Sequence, residues 1–135
     1  MKVVAIIQAR MGSTRLPGKV LKDLAGEPLL ARVVDRTLRA KSMNDVVVAT
    51  TKNAIDDAIV DLCQERGWQF FRGSQEDVLD RYYHAASAFG ADIVVRITSD
   101  CPLIEPEIID RLVGEFLSRR PEVEYVSNTL LRTFP

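Results

Sequence analysis

A basic segment with two glycines follows the first apolar run of the chain, residues 3–7. Three cations and no acid fall within ten residues there: Arg10, Arg15 and Lys19. Like charges on a short loop repel by roughly 1 kcal/mol per close pair in water, so the loop is expected to hold an anion. Gly12 allows close backbone approach, and Ser13 and Thr14 supply donors. Arg forks with a point-charge Lys suit a polyphosphate.

This cationic loop, residues 10–19, does not have the spacing of the known glycine-rich phosphate motifs. Gly12 and Gly18 are separated by five residues, whereas a P-loop has four, and Lys19 is followed by Val20 instead of a hydroxyl residue. The glycine fingerprint of dinucleotide-binding folds is also missing. Phosphate binding is therefore predicted by another scheme, and the alternative is a solvated basic loop whose glycines only turn the chain.

A lone aspartate in a turn flanked by proline is the second candidate group. Asp100 lies in Thr-Ser-Asp-Cys-Pro-Leu, directly after the apolar run 92–97. Mg²⁺ is usually held by one or two carboxylates together with phosphate oxygens. If the strands before Asp100 and before the cationic loop are parallel, both features lie at one sheet edge, which favours Asp100 as a Mg²⁺ ligand. The alternative is an Asp that only caps the next segment.

The composition is that of an ordinary globular protein of one domain. The chain has 135 residues, a formal net charge of -1 and 47% apolar residues. Clustering of the basic residues in one loop argues against nucleic acid as a partner. The first apolar run is too short to span a bilayer. Cys63 and Cys101 do not form a C-x-x-C pair, so a reduced, cytoplasmic protein is expected, with Cys63 in the core.

Short apolar runs alternate with helical patterns, which predicts an α/β fold built on a parallel sheet. Strands are predicted at 3–7, 45–50, 68–71 and 92–97, with a possible fifth at 124–127. Helices are predicted after each of four start signals, which are Pro28, Asn53, Glu76 and Pro106. The first strand is apolar on both faces and is therefore expected to be central.

Three further polar positions have both a structural and a functional interpretation. Thr50 and Thr51 end the second strand, where open α/β sheets bind ligands, although turn chemistry explains them equally well. Asp77 and Arg81 are four residues apart and are expected to form a surface ion pair. His84 shows no carboxylate partner at useful spacing and is interpreted as structural.

Three segments of the chain resemble a known family. They are the segment Gln-Ala-Arg-Met-Gly-Ser-Thr-Arg-Leu-Pro-Gly-Lys-Val-Leu (8–21), the segment Asp-Val-Leu-Asp-Arg-Tyr-Tyr (77–83) and the segment Arg-Ile-Thr-Ser-Asp-Cys-Pro-Leu-Ile (96–104). In this order they closely resemble the cytidylyltransferase family that makes CMP-activated acidic sugars, and within it the branch of spore coat polysaccharide biosynthesis proteins.

The resemblance implies a fold and a set of site residues. The fold is a Rossmann-like three-layer sandwich with a mostly parallel sheet, the nucleotide-diphospho-sugar transferase fold. The motifs imply a triphosphate cradle, an arginine near the nucleotide and Asp100 on Mg²⁺. Thr50 is added because it ends the second predicted strand. The predicted nucleotide-binding residues are then Gln8, Ala9, Arg10, Met11, Gly12, Ser13, Arg15, Lys19, Thr50 and Arg81. The predicted catalytic residues are Arg10, Lys19 and Asp100.

The resemblance also implies a reaction, in which a sugar hydroxyl attacks the α-phosphorus of CTP and pyrophosphate leaves. The expected partners are CTP, a sugar acid or modified sugar, and a second copy of the chain. Family members are usually longer, so residues 1–135 are expected to be the N-terminal, nucleotide-binding domain of a longer cytidylyltransferase. The sugar synthetases have a Gly-Asp-Glu-Pro turn where this chain has Ser-Asp-Cys-Pro, which keeps Asp100 but leaves the sugar open.

Two other functions fit the same residues. A glycosyltransferase of related fold would use a finished nucleotide sugar, and such enzymes typically hold metal with an Asp-x-Asp turn, which this sequence lacks. A nucleotide-binding module without turnover would need only the cationic loop.

Overall fold

Strand β1 (Val3–Gln8) is central, and its residues 3–7 are buried on both faces of the sheet. The computed structural model describes residues 1–130. In these, β1 lies between β4 (Asp45–Thr51) and β6 (Ile93–Thr98), while β5 (Gln69–Gly73) pairs with the other side of β4. All these pairs are parallel. The central position predicted for the first strand is therefore confirmed.

Helices cover both faces of this sheet. Helices α1 (Leu29–Leu38), α2 (Asp57–Arg66) and α4 (Pro106–Ser118) pack on the face that carries Ala5 and Ile7. Helix α3 (Val78–Ala88) packs on the opposite face. The three-layer α/β sandwich with a parallel sheet is thus as predicted. A short antiparallel hairpin, β2 (Asp23–Leu24) with β3 (Glu27–Pro28), precedes α1.

Local capping explains where the helices next to the site begin. Asn53 accepts a hydrogen bond from the Ile55 backbone N–H, at 3.0 Å, in the turn that leads into α2. Asp77 accepts one from the Asp80 N–H, at 2.9 Å, and so caps α3. Side-chain acceptors at these positions satisfy N–H groups that have no partner within the helix.

Three expectations about local structure are wrong. Residues 124–127 form no strand, because among the described residues their backbone makes no hydrogen bonds with the edge strand β6, and Tyr125 is 79% exposed. Asp77 does not pair with Arg81, since Asp77 caps α3 and Arg81 turns into the core. His84 does have a carboxylate at helical spacing: its Nε2 lies 3.2 Å from Asp80 Oδ1 on the surface of α3.

Among residues 1–130, no helix combines the length and apolarity needed to cross a bilayer.

The close approach of β5 to α3 gives a first testable prediction. A Cβ added to Gly73 would lie 2.9 Å from Cγ and 3.3 Å from Cα of Arg81, and 3.0 Å from Phe71 Cε1. Because Arg81 is fully buried, it has no open space into which to move. We expect Gly73→Ala to lower the free energy of unfolding by about 1–3 kcal/mol, measured by urea denaturation.

Gly114, inside α4, is the matched control. A Cβ there would contact nothing within 4 Å, so Gly114→Ala is expected to stabilise by up to about 1 kcal/mol through helix propensity. Equal effects of the two substitutions would contradict the packing argument for Gly73.

Candidate functional site

A polar pocket of about 300 Å³ opens at the carboxyl edge of the sheet, where β1 and β6 end. Register places Gln8, the last residue of β1, beside Thr98, the last residue of β6. The pocket is lined by residues from the ends of both strands and from the cationic loop: Gln8, Arg10, Ser13, Thr14, Arg15, Lys19, Val20, Thr98, Ser99 and Asp100. The topology therefore brings most of the predicted site residues to one place.

Lys19 and Asp100 meet across this pocket, although 81 positions separate them in the chain. The Lys19 ammonium nitrogen lies 3.5 Å from Asp100 Oδ2. Both side chains stay accessible, at 37% and 51% exposed, so a ligand can reach them. A hydrogen bond from the Thr98 hydroxyl, together with the charge of Lys19, holds the pKa of Asp100 below its usual value despite partial burial. Asp100 is thus a carboxylate at neutral pH.

The backbone of the cationic loop folds around Met11. The Met11 carbonyl accepts hydrogen bonds from the N–H groups of Ser13 and Gly18, both at 2.9 Å. Gly18 has a φ of 69°, a left-handed conformation that glycine adopts without steric cost. The Ser13 hydroxyl accepts from the Leu16 N–H at 3.2 Å. These bonds turn the loop back on itself and leave its three cationic side chains directed at the pocket.

Arg81 is fully buried and lies outside the pocket lining. Its guanidinium donates to the Ser74 carbonyl at 2.9 Å and, at 3.4 Å, to the Gln75 carbonyl. Its Nη1 has no hydrogen-bond partner among the described residues. Burial, followed by the charge of Arg10, lowers the pKa of Arg81. Arg81 is therefore a buried cation close to Arg10, held by carbonyl groups.

Thr50 also lies outside the pocket lining, and its hydroxyl is buried without a partner among residues 1–130. Val48, two residues earlier, packs towards α2, whereas Val4 and Ile6 pack towards α3. Because side chains alternate along a strand, Thr50 faces α2 and Gln8 faces α3. The sheet separates these two predicted binding residues, and nucleotide contact at Thr50 and Arg81 stays a prediction.

Sequence reasoning missed three contributors to this site. Thr98 and Ser99 line the pocket and directly precede Asp100, so their position at a strand end was an available signal. Asp56 follows the predicted helix start at Asn53 and carries no site signal of its own, yet its Oδ1 accepts the Met11 N–H at 2.7 Å. No signal in the sequence connects Asp56 to a loop 45 residues away.

The oxygen donors around Asp100 are compatible with a hard divalent cation. The described residues contain no cluster of three or more His, Cys, Asp or Glu side chains that could hold a metal by themselves. Asp100 is the carboxylate among the described residues that line the pocket, and the hydroxyl groups of Thr98 and Ser99 are nearby. Mg²⁺ commonly binds in this way, through one carboxylate, substrate phosphates and water.

Comparison with known proteins identifies the family. Residues 4–133 match the family model described as cytidylyltransferase. The chain belongs to the cytidylyltransferase family. The resemblance predicted from the three sequence segments is thereby confirmed.

Individual cytidylyltransferases and related proteins are similar over almost the whole chain. The spore coat polysaccharide biosynthesis protein SpsF of Bacillus subtilis (strain 168) is 37% identical over 133 residues, which cover 96% of this chain and 55% of SpsF. A cytidylyltransferase structure from Leptospira borgpetersenii matches with a TM-score of 0.93 and 42% identity, covering 99% of this chain and 56% of that one.

A CMP:2-keto-3-deoxy-manno-octonic acid synthetase structure complexed with CTP is also similar. Its TM-score is 0.77 at 30% identity, and the match covers 88% of this chain and 48% of that chain. The chain thus spans about half the length of these cytidylyltransferases.

Proposed function

We propose that this cytidylyltransferase chain binds CTP in the cationic pocket and supports transfer of CMP to a sugar hydroxyl, with release of pyrophosphate. The observation that carries the proposal is the position of Lys19 Nζ, 3.5 Å from Asp100 Oδ2 at the rim shared by β1 and β6. Opposite charges that face each other across a half-exposed pocket suit a ligand with both anionic oxygens and a bound cation. The similar synthetase structure that contains CTP supports the choice of nucleotide.

The basic side chains would act on the triphosphate. Arg10, Arg15 and Lys19 line the pocket and can neutralise the β- and γ-phosphates, which leave as pyrophosphate. Charge accumulates on the leaving group as the sugar hydroxyl attacks the α-phosphorus in line. Fixed cations that face this charge stabilise the transition state more than the ground state, so the same residues would serve binding and catalysis.

Asp100 is proposed as the residue that holds Mg²⁺ beside the α-phosphate. Its lowered pKa keeps it ionised, and its neighbours are oxygen donors, which Mg²⁺ prefers. The ion, when bound, would supply charge neutralisation and orientation of phosphate oxygens. In the absence of nucleotide, the Lys19 ammonium group would pair with the Asp100 carboxylate. When nucleotide is bound, it would instead bind a phosphate oxygen.

The proposed acceptor is an acidic or otherwise modified sugar destined for a surface polysaccharide. The names of SpsF and of the similar CMP-sugar synthetase support this class. We place the reaction in the cytoplasm, which the two free thiols, Cys63 and Cys101, support. Assembly into a homodimer stays a prediction.

Calorimetric titration with CTP, UTP, ATP and GTP in the presence of Mg²⁺ tests the proposal, followed by an assay of pyrophosphate release with CTP and 3-deoxy-manno-octulosonate. Saturable binding that favours CTP, with release only when both substrates are present, is the expected result. CTP binding without release would indicate a nucleotide-binding module. Turnover of a finished nucleotide sugar would indicate a glycosyltransferase, and failure to bind any nucleotide would overturn every version.

A further inference from the structure

Asp56 is a buried carboxylate that connects two distant parts of the chain. It is 3% exposed. Its Oδ1 accepts the Met11 backbone N–H at 2.7 Å, and its Oδ2 accepts the Thr51 hydroxyl. The Thr51 oxygen in turn accepts the Asn53 N–H at 3.1 Å. One side chain therefore ties the beginning of the cationic loop to the end of β4.

The helix dipole does not explain why this acid is buried. Asp57, the next residue, already supplies an acid to the first turn of α2, and it is 59% exposed and paired with Arg72 at 2.7 Å. Burial of a carboxylate is unfavourable unless hydrogen bonds or a nearby charge offset it. None of the ion pairs found among residues 1–130 includes Asp56; its compensation comes from the two hydrogen bonds and from the charge of Arg81.

Asp56 bonds to Met11, the residue around which the backbone of the cationic loop turns. The Met11 carbonyl accepts the N–H groups of Ser13 and Gly18, and Arg10 and Lys19 flank these two bonds in the chain. Asp56 holds the peptide group before the Met11 Cα, and the peptide group after it carries the carbonyl that closes the turn, so the bond to Asp56 constrains the residue on which both turn bonds depend. Release of the Met11 N–H would leave the turn bonded only to itself.

We propose that Asp56 is a positioning residue: through the Met11 amide it holds residues 10–19 in the shape that receives an anionic ligand. The identity of that anion as a nucleotide triphosphate rests on the proposed function. The effect of Asp56 on the loop does not depend on it, so the two can fail separately.

The sign of the effect separates positioning from simple electrostatics. Asp56 is an anion close to a site for anions, so removal of its charge alone would strengthen phosphate binding through Coulomb's law. Loss of the loop shape would weaken binding instead, because the cations would no longer be preorganised. A purely structural acid would lower stability and leave the affinity of the folded protein unchanged.

The test compares Asp56→Ala and Asp56→Asn with Asp57→Asn as the matched control, using inorganic tripolyphosphate as the probe in calorimetry. We expect Asp56→Ala to weaken binding about tenfold or more. Asp56→Asn keeps one acceptor for the Met11 N–H and is expected to recover most of the affinity. Asp57→Asn removes the same charge one residue away and is expected to change the affinity less than about twofold.

Hydrogen exchange supplies a readout that needs no ligand. The Gly18 amide bonds to the Met11 carbonyl, and not to Asp56, so its faster exchange in Asp56→Ala, with Asp57→Asn unchanged, would show that the loop had lost its shape. Normal Gly18 protection, or unchanged or tighter tripolyphosphate binding by folded Asp56→Ala, would overturn the proposal.

If the wild-type protein binds neither tripolyphosphate nor CTP, the proposed function fails and the exchange result still decides the role of Asp56. If Asp56→Ala does not fold, Thr51→Val takes its place. It removes one hydrogen-bond donor to Asp56 without a change of charge, and is expected to weaken tripolyphosphate binding and to speed exchange at Gly18. Wild-type behaviour of Thr51→Val in both measurements would then overturn the proposal.

Discussion

Asp100→Asn is expected to lower the rate of pyrophosphate release by roughly 10³-fold or more and to remove the effect of Mg²⁺ on CTP binding. The substitution keeps the shape of the side chain but removes the only carboxylate that lines the described pocket. An amide oxygen is a much weaker ligand for Mg²⁺ than an ionised carboxylate. Calorimetry with CTP, with and without Mg²⁺, measures the second effect even if the chain alone shows no turnover.

In the absence of metal, the same substitution is expected to change the affinity for CTP in the opposite direction. Without Mg²⁺, Asp100 repels the triphosphate and engages Lys19, so Asp100→Asn is expected to bind metal-free CTP more tightly than the wild type. Asp92→Asn is the control, since Asp92 lies just before the other end of β6, where it accepts the Lys2 N–H at 2.7 Å. A Mg²⁺ effect that persists in Asp100→Asn would remove the metal role.

Lys19→Gln is expected to weaken CTP binding by roughly 10- to 100-fold. A hydrogen bond to a charged group contributes about 1.5–3 kcal/mol, and each 1.4 kcal/mol corresponds to a factor of about ten. Lys19 lines the pocket and has only a long contact, 3.5 Å, with Asp100, so its ammonium group is available for a phosphate. Titration with CTP and Mg²⁺ measures the change.

Lys22→Gln is the matched control for this substitution. It removes the same charge three residues later, from an exposed side chain that is absent from the pocket lining. We expect less than about a threefold change there, and that change should decrease as salt is added. Equal weakening by the two variants would mean that only the overall charge of the protein matters, and would contradict a specific triphosphate site.

Much of the candidate site could be predicted because it depends on local features of the sequence. A run that is apolar on both faces indicated a central parallel strand, and a basic segment after it indicated an anion site at its carboxyl end. Asp100 follows another mostly apolar run, so parallel strands predicted it at the same sheet edge as the cationic loop, and the structure places it 3.5 Å from Lys19. The assignment of individual residues to nucleotide, metal and catalysis stays a prediction.

The sequence was misleading where one pattern of residues fits more than one structure. The spacing of Asp77 and Arg81 fits a surface ion pair, but Arg81 is fully buried. It packs against Gly73, where a Cβ would lie 2.9 Å from Arg81 Cγ, so a residue without a side chain is needed there. Residues 124–127 resemble a strand, yet a strand requires backbone hydrogen bonds to a neighbour, and among the described residues they make none with β6. Asp80 and His84 are four residues apart, so the 3.2 Å contact between their side chains follows from helical spacing alone.

The sequence by itself determined the order of strands and helices, the cationic loop and the family, because strand and helix periodicity, turn residues and motifs are properties of neighbouring positions. Only the tertiary structure decided that Asp56 is buried and bonded to the Met11 N–H, that Arg81 is buried outside the pocket lining and that Thr50 faces the opposite side of the sheet from Gln8. These facts depend on packing between segments tens of residues apart. Burial and hydrogen bonding there are set by which surfaces meet, and no local pattern carries that information.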